Sequence, residues 1–194
     1  MLRIIGGELR SRQLETPRGT DRTRPMGSRT REAIFNVLRG WFEGAHVLDL
    51  FAGVGTMGLE AVSRGAAKAW LVEQDREVFD LLRGNIDDLG VADRAVPVKA
   101  DALGEVALAT VTEPLDVVFL DPPFEMVRTP EGLDRVLAQS RRCRGRMKPR
   151  SFLVLRLPEI EGEGPIIEGF EGPEHRRYGN EQHVMLYCPS KETA

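Results

Sequence analysis

Apolar residues fall along the chain in short blocks separated by polar, helix-spaced segments. Blocks such as Val47-Leu48-Asp49-Leu50-Phe51, Ala69-Trp70-Leu71-Val72 and Val117-Val118-Phe119-Leu120 are nearly continuous, as strands buried on both faces are. The pattern predicts strands at 46–51, 68–73, 95–99, 115–121 and 151–157, and helices at about 57–64, 76–89, 102–110 and 131–141. Strands alternating with helices imply an α/β fold with a parallel sheet covered on both faces. Upstream, residues 2–5 and 12–16 alternate loosely around Gly6-Gly7 and can pair as a hairpin. Residues 17–27 read as an irregular linker, and Ser28 as the N-cap of a helix over about 29–42. Its apolar face would be Ala33, Ile34, Val37, Leu38 and Trp41. After Pro158 the chain becomes rich in Gly, Pro and Glu, with a strand expected near 166–170 and a closing strand over 182–188. Two strands without a helix between them imply an antiparallel hairpin at the end of the sheet. Two units are expected: an N-terminal extension, 1–43, and the α/β domain, 44–194.

Composition narrows this little. With 41% hydrophobic and 29% charged residues the chain is an ordinary globular sequence. It has neither a transmembrane-length apolar run nor the long apolar stretch of a signal peptide. Cys143 and Cys188 stand apart from any Cys/His cluster, so no metal is expected and a reduced, cytoplasmic setting fits. Charge is more informative. Residues 1–31 carry eight Arg against three carboxylates, a net +5, which leaves −8 of the overall −3 to the remainder. A second basic cluster is Arg141, Arg142, Arg144, Arg146, Lys148 and Arg150. Basic patches on an acidic body suit a polyanion, although short charge clusters also serve as solvated surface. Arginine without lysine favours phosphate, because the guanidinium fork binds oxygens bidentately.

Candidate chemistry begins where the first core strand breaks into Gly53-Val54-Gly55-Thr56-Met57-Gly58, spaced as in the G-x-G-x-x-G nucleotide-binding turn of a Rossmann-like unit. Glu73 ends the next strand 20 positions after Gly53, where a carboxylate can accept both hydroxyls of a ribose. Asp101 follows the third strand and can accept from an adenine amine. These features admit a dinucleotide or S-adenosylmethionine (SAM). Asp49, before the loop, favours the cationic donor, since a pocket carboxylate would repel a pyrophosphate. Its other reading is a structural carboxylate bonded to loop amides. Glu60 reads as a solvated helix residue, and Gly58 can serve only close helix–strand packing.

Asp121-Pro122-Pro123-Phe124, directly after the fourth strand, is the more specific signal. A conjugated exocyclic amine is a poor nucleophile. Hydrogen bonds from it to the Asp121 carboxylate and the Pro122 carbonyl would draw its nitrogen towards tetrahedral geometry and aim its lone pair at a methyl group. Pro123 stiffens that turn, and Phe124 can stack on the base. The bland alternative is a strand-ending turn with a core Phe.

These stretches resemble the class I SAM-dependent methyltransferases, and specifically the RsmD-type family that methylates guanine N2 in bacterial small-subunit rRNA. The resemblance includes Arg3-Ile4-Ile5-Gly6-Gly7, Thr23-Arg24-Pro25 before Arg29-x-Arg31-Glu32-Ala33-Ile34-Phe35-Asn36, the glycine loop, Glu73-x-Asp75 and the Asp-Pro-Pro-Phe turn. It implies a seven-stranded, mostly parallel sheet with the last strand antiparallel, and SAM as donor. By position, Gly53 and Gly55 would line SAM, Glu73 its ribose and Asp101 its adenine. Met26-Gly27-Ser28 departs from the family's usual Thr-Thr-Asp. In this light Arg10, Arg12, Arg24, Arg29 and Arg31 become candidate RNA contacts, with the loop 175–180 as either a further contact or an ordinary hairpin end. The implied partner is small-subunit rRNA or an assembling subunit, with the enzyme a monomer. Alternatives are a DNA adenine-N6 or other amino methyltransferase, an NAD oxidoreductase, and a non-catalytic RNA-binding protein.

Overall fold

The computed structural model describes residues 2–17, 26–160, 162–179 and 182–191. A short antiparallel hairpin, β1 (Leu2–Arg3) with β2 (Gln13–Leu14), precedes α1 (Ser28–Val37). There follow β3 (His46–Asp49), α2 (Gly58–Ser63), β4 (Lys68–Glu73), α3 (Arg76–Leu89), β5 (Ala95–Lys99), α4 (Glu105–Ala109), β6 (Leu115–Leu120), α5 (Phe124–Val127), α6 (Pro130–Cys143), β7 (Met147–Leu157), β8 (Phe170–Arg177) and β9 (His183–Pro189). The nine strands of the described residues form that hairpin and one seven-stranded sheet, ordered β5-β4-β3-β6-β7-β9-β8. β5 through β7 are mutually parallel, and β9 runs antiparallel to both its neighbours.

Alternation along each central strand feeds two cores. Val47, Leu71, Phe119 and Val154 point to the side of α1, α2 and α3, whereas Leu48, Val72, Leu120 and Leu155 point to the side of α4 and α6. Successive strand residues face opposite sides, so a strand covered on both needs apolar residues throughout. Pro97 is tolerated in β5 because that strand is an edge with one partner, β4. Asp75 caps α3 by accepting from the Val78 amide at 3.0 Å, and Gly90 ends it in the left-handed region, φ 70°.

Several elements differ from the sequence reading. α1 stops at Val37, and its N-cap is Gly27, not Ser28, with no side-chain capping bond. Trp41 lies beyond the helix and packs edge-on against Phe152 at 4.8 Å. α4 is only five residues long, since Asp101 turns the chain first by accepting from the Leu103 amide. The strand expected near 166–170 begins at Phe170 and runs to Arg177. Gly172-Pro173 obscures it in the sequence, but β8 is the other sheet edge and absorbs the irregularity there.

The N-terminal residues share the domain's core. Ile4, Leu14, Ile34, Phe35, Leu38 and Phe42 are buried in the same cluster as Val47 and Phe119, so one core spans the expected boundary near residue 43. Polar latches fix this packing. Glu60 is fully buried, contrary to the solvated reading, and its two oxygens accept from the Ile5 amide (2.7 Å), the Gly6 amide (2.8 Å) and Arg64 Nε (2.8 Å). Ser63 Oγ donates to Gly6 O and accepts from the Leu9 amide. Asn85 accepts from the Glu15 amide and donates to Glu15 O and Val54 O, tying the segment to the glycine loop.

Removing Glu60 would leave two amides and nearby guanidinium charge without their buried acceptor. Glu60→Ala is expected to cost about 3–5 kcal/mol in urea unfolding, with faster hydrogen exchange at Ile5 and Gly6. An unchanged unfolding midpoint would contradict this.

Candidate active site

The strand order reverses between β3 and β6: β4 and β5 extend to one side of β3, β6 and β7 to the other. The crevice beyond the carboxyl ends of such strands is where open α/β sheets bind ligands. Asp49 ends β3 and Asp121 follows β6 at this point.

Asp49 is 1% exposed; its Oδ2 accepts from the Gly58 amide at 2.9 Å, and its Oδ1 has no partner among the described residues. One oxygen is therefore structural and the other is left over. Burial pushes the carboxyl up to about 7; the Gly58 amide opposes this, and the negative fields of Asp121 and Glu73 add to it. Gly58 is glycine for packing, since a Cβ there would come within 2.6 Å of Leu71 Cδ2. Gly53 differs. Its φ is +55°, a Cβ would meet nothing within 4 Å, and its amide donates to Glu73 Oε2 at 3.1 Å. The loop thus presents open backbone beside a carboxylate. Gly55 is buried, with its Cβ position against Leu59 and Leu82. The other oxygen of Glu73 accepts from the Asp75 amide at 2.7 Å. Asp101, exposed beyond β5, keeps Oδ2 only loosely engaged by Arg135 at 3.5 Å.

In the second half of the site, Pro122 is buried, Pro123 exposed, and Phe124 opens α5. Phe124 belongs to neither core cluster, which argues against the core-Phe reading. One face of its ring lies under Arg156, whose Cζ is 4.5 Å from the centroid. Arg156 Nε donates to Asp121 Oδ1 at 2.5 Å. Burial pushes the Asp121 carboxyl up, and the guanidinium pulls against that shift. A small cavity beside the pair is lined by Met26, Ile34, Met57 and Phe119. Arg156 is a site residue that the motifs do not reveal. Its signal was a lone charge inside Phe152-Leu153-Val154-Leu155-Arg156-Leu157, since a cation in a central strand needs a buried partner.

The arginines separate. Arg29 is exposed near the start of α1, three residues from cavity-lining Met26. Arg10 and Arg12 are exposed on the hairpin; Arg12 Nη2 donates to Asp88 O at the end of α3, away from the carboxyl rim. Arg24 lies outside the described residues. Arg31 corrects the expectation of a phosphate contact: it is 2% exposed, with Nη2 donating to Arg3 O at 2.6 Å. It faces the Glu60 charge and holds the hairpin on α1. The cluster at 141–150 sits at the opposite end of the sheet, where Lys148 pairs with Asp116 and Arg144 donates to Ser190 O. Among the described residues, no group of three or more His, Cys, Asp or Glu could hold a metal, and no helix is long and apolar enough to cross a membrane.

The sheet order, glycine loop and Asp-Pro-Pro-Phe turn define a Rossmann-like methyltransferase fold. The chain belongs to the family described as "Conserved hypothetical protein 95", whose model matches residues 2–187. Ribosomal RNA small subunit methyltransferase D of Escherichia coli (strain K12) is 43% identical over 123 residues, 63% of this chain. In that match the chain spans 60% of the relative's length. The protein of the same name from Haemophilus influenzae is 31% identical over 171 residues, covering 86% of this chain and 82% of the other. The solved structure of "Putative methyltransferase yhhF" from Escherichia coli aligns with a TM-score of 0.78 at 32% identity, over 97% of this chain and 98% of that one.

The residues fit SAM. An unpartnered buried oxygen of Asp49 and the neighbouring Glu73 and Asp121 offer negative potential to a cationic ligand, and Gly53 leaves room at the backbone. Glu73 and Asp101, at the ends of adjacent strands, would take its ribose and adenine. Because the folded value for Asp49, about 7, exceeds the ordinary 3.8, the folded chain holds the extra proton between these limits. The associated stability is present below pH 3.8 and lost as pH rises to about 7, by up to roughly 4 kcal/mol. The stability of Asp49→Asn relative to wild type should therefore rise across this window in urea titrations. A difference independent of pH would refute the assignment.

Proposed function

We propose that this protein transfers a methyl group from SAM to the exocyclic N2 amine of a guanine in small-subunit rRNA. The observation that carries the reading is the Asp121-Pro122-Pro123-Phe124 turn, set across the β3/β6 switch point from the open glycine loop. The names of the two relatives point to the RNA, and guanine N2 follows from the family resemblance.

SAM, when bound, supplies a methyl group activated by its sulfonium. Everything else falls to the chain. Gly53, Gly55, Glu73 and Asp101 hold and orient the donor. Asp49 offers Oδ1 to its positive charge. Asp121 and the Pro122 carbonyl accept the two amine hydrogens, which localises the nitrogen lone pair and points it at the methyl carbon. Once the nitrogen has taken up the methyl group, Asp121 would pass the surplus amine proton to water. Phe124 offers the face opposite Arg156 to the base. The chain's contribution is positioning and polarisation. Arg29, exposed three residues from cavity-lining Met26, contacts phosphate close to the target, and Arg10, Arg12 and Arg24 extend the contact along the RNA. The partner is the rRNA or an assembling subunit in the cytoplasm, and the enzyme acts as a monomer.

Incubation with labelled SAM and small-subunit rRNA or partly assembled subunits is expected to give N2-methylguanine on nucleoside analysis. N6-methyladenine in DNA instead would overturn the reading. Asp121→Ala should lower transfer by at least about a hundredfold while SAM binding persists; unchanged turnover would remove Asp121 from the chemistry. Arg29→Glu should weaken RNA binding and reduce the slope of log affinity against log salt by about one. Equal slopes would make Arg29 ordinary surface.

A further inference from the structure

We propose that Arg156 is the positioning residue of the amine pocket: it occupies one oxygen of Asp121, leaves the other for the target amine, and fixes the Phe124 ring. This rests on the methyl-transfer reading above. Three observations converge on it. Arg156 lies inside β7, 6% exposed, between Leu155 and Leu157, which are both buried. Its Nε meets Asp121 Oδ1 at 2.5 Å. Its guanidinium covers Phe124 at 4.5 Å. One planar group thus touches both ends of the tetrapeptide, each by a bond that depends on orientation.

Such a residue is poorly explained by stability alone. Withdrawing an ion pair from water costs about as much as its attraction returns, and apolar replacements of similar volume are often neutral or stabilising. Met26, Ile34 and Met57 already make the adjoining surface apolar. A charge retained there acts on what it touches. For Asp121, that action is to favour the ionised form that accepts an N–H, and to stop the carboxylate rotating away from the Pro122 carbonyl. For Phe124, it is to cover one face and leave the other for a base.

The groups around Asp121 set how this is read. Burial pushes the Asp121 carboxyl up and Arg156 from β7 supports its ionisation, while Asp121 and Glu73 from β4 both add to the negative field at Asp49 on β3. The cavity residues from α1 and the glycine loop are uncharged. His183 on β9, paired with Leu157, has its own titration pushed down by burial and then by the charges of His175 and Arg177, against the opposing pull of Glu159. His183→Gln therefore serves as a control.

The test is the pH profile of single-turnover methyl transfer to the RNA, with SAM affinity measured on the same samples. Arg156→Met should lower the transfer rate at least tenfold and move its acidic limb up by about 1–3 pH units, with SAM affinity within twofold of wild type. Arg156→Lys keeps the charge but loses the planar contact with Phe124. It should hold the limb near its wild-type position while the rate still falls, with the RNA KM little changed. His183→Gln should leave the limb in place. A wild-type rate and limb in Arg156→Met overturn the proposal. If that variant does not fold, Arg156→Lys decides, and a wild-type rate there overturns it equally. Absence of methyl transfer by the wild-type protein would instead strike the methyltransferase reading itself.

Discussion

Negative charge gathered in a low-dielectric crevice governs this structure. Asp49, Glu73 and Asp121 converge where β3, β4 and β6 end, and Asp49 and Asp121 are both pushed towards the protonated form by burial. The chain offsets this only partly. The Gly58 amide satisfies one oxygen of Asp49, the Gly53 amide one of Glu73, and Arg156 one of Asp121. One oxygen of Asp49 remains without a partner among the described residues. Such an atom is costly for a folded chain and makes sense where a cationic ligand completes the site. The fold prepares the crevice for a positive charge before any ligand arrives.

The same principle of buried charge joins the N-terminus to the layer that carries the candidate site. Glu60 emerges from the first turn of α2, the helix that begins at the glycine loop, and reaches the backbone of Ile5 and Gly6. Asn85 links Glu15 to Val54 in that loop. The segment carrying the basic residues is therefore fastened to the element that would cradle the donor. In the proposed function, RNA contacts and the methyl-donor site are fixed relative to each other by these bonds.

How much of this was legible in the sequence depended on the range of the interaction. The central strands, the glycine loop and the Asp-Pro-Pro-Phe turn follow from local pattern, and the sheet order agrees with the expected seven strands and antiparallel closing strand. β8 was misplaced because Gly172-Pro173 looks like a loop unless the strand is known to be an edge. Glu60, Arg31 and Arg156 escaped for a common reason. Each is a charged residue whose partner lies tens of positions away: Ile5 for Glu60, Arg3 for Arg31, Asp121 for Arg156. Composition counts Arg31 as surface charge, but its burial against the hairpin makes it structural. Glu60 has helical neighbours on a polar face only until the hairpin covers it.

In the proposed function, the crevice holds a partly protonated Asp49 that ionises when SAM enters. Calorimetry of SAM binding at pH 7, in buffers of different ionisation enthalpy, counts the protons released. With a folded value of about 7, wild type should release about half a proton more than Asp49→Asn. Equal proton release by the two proteins would contradict the account.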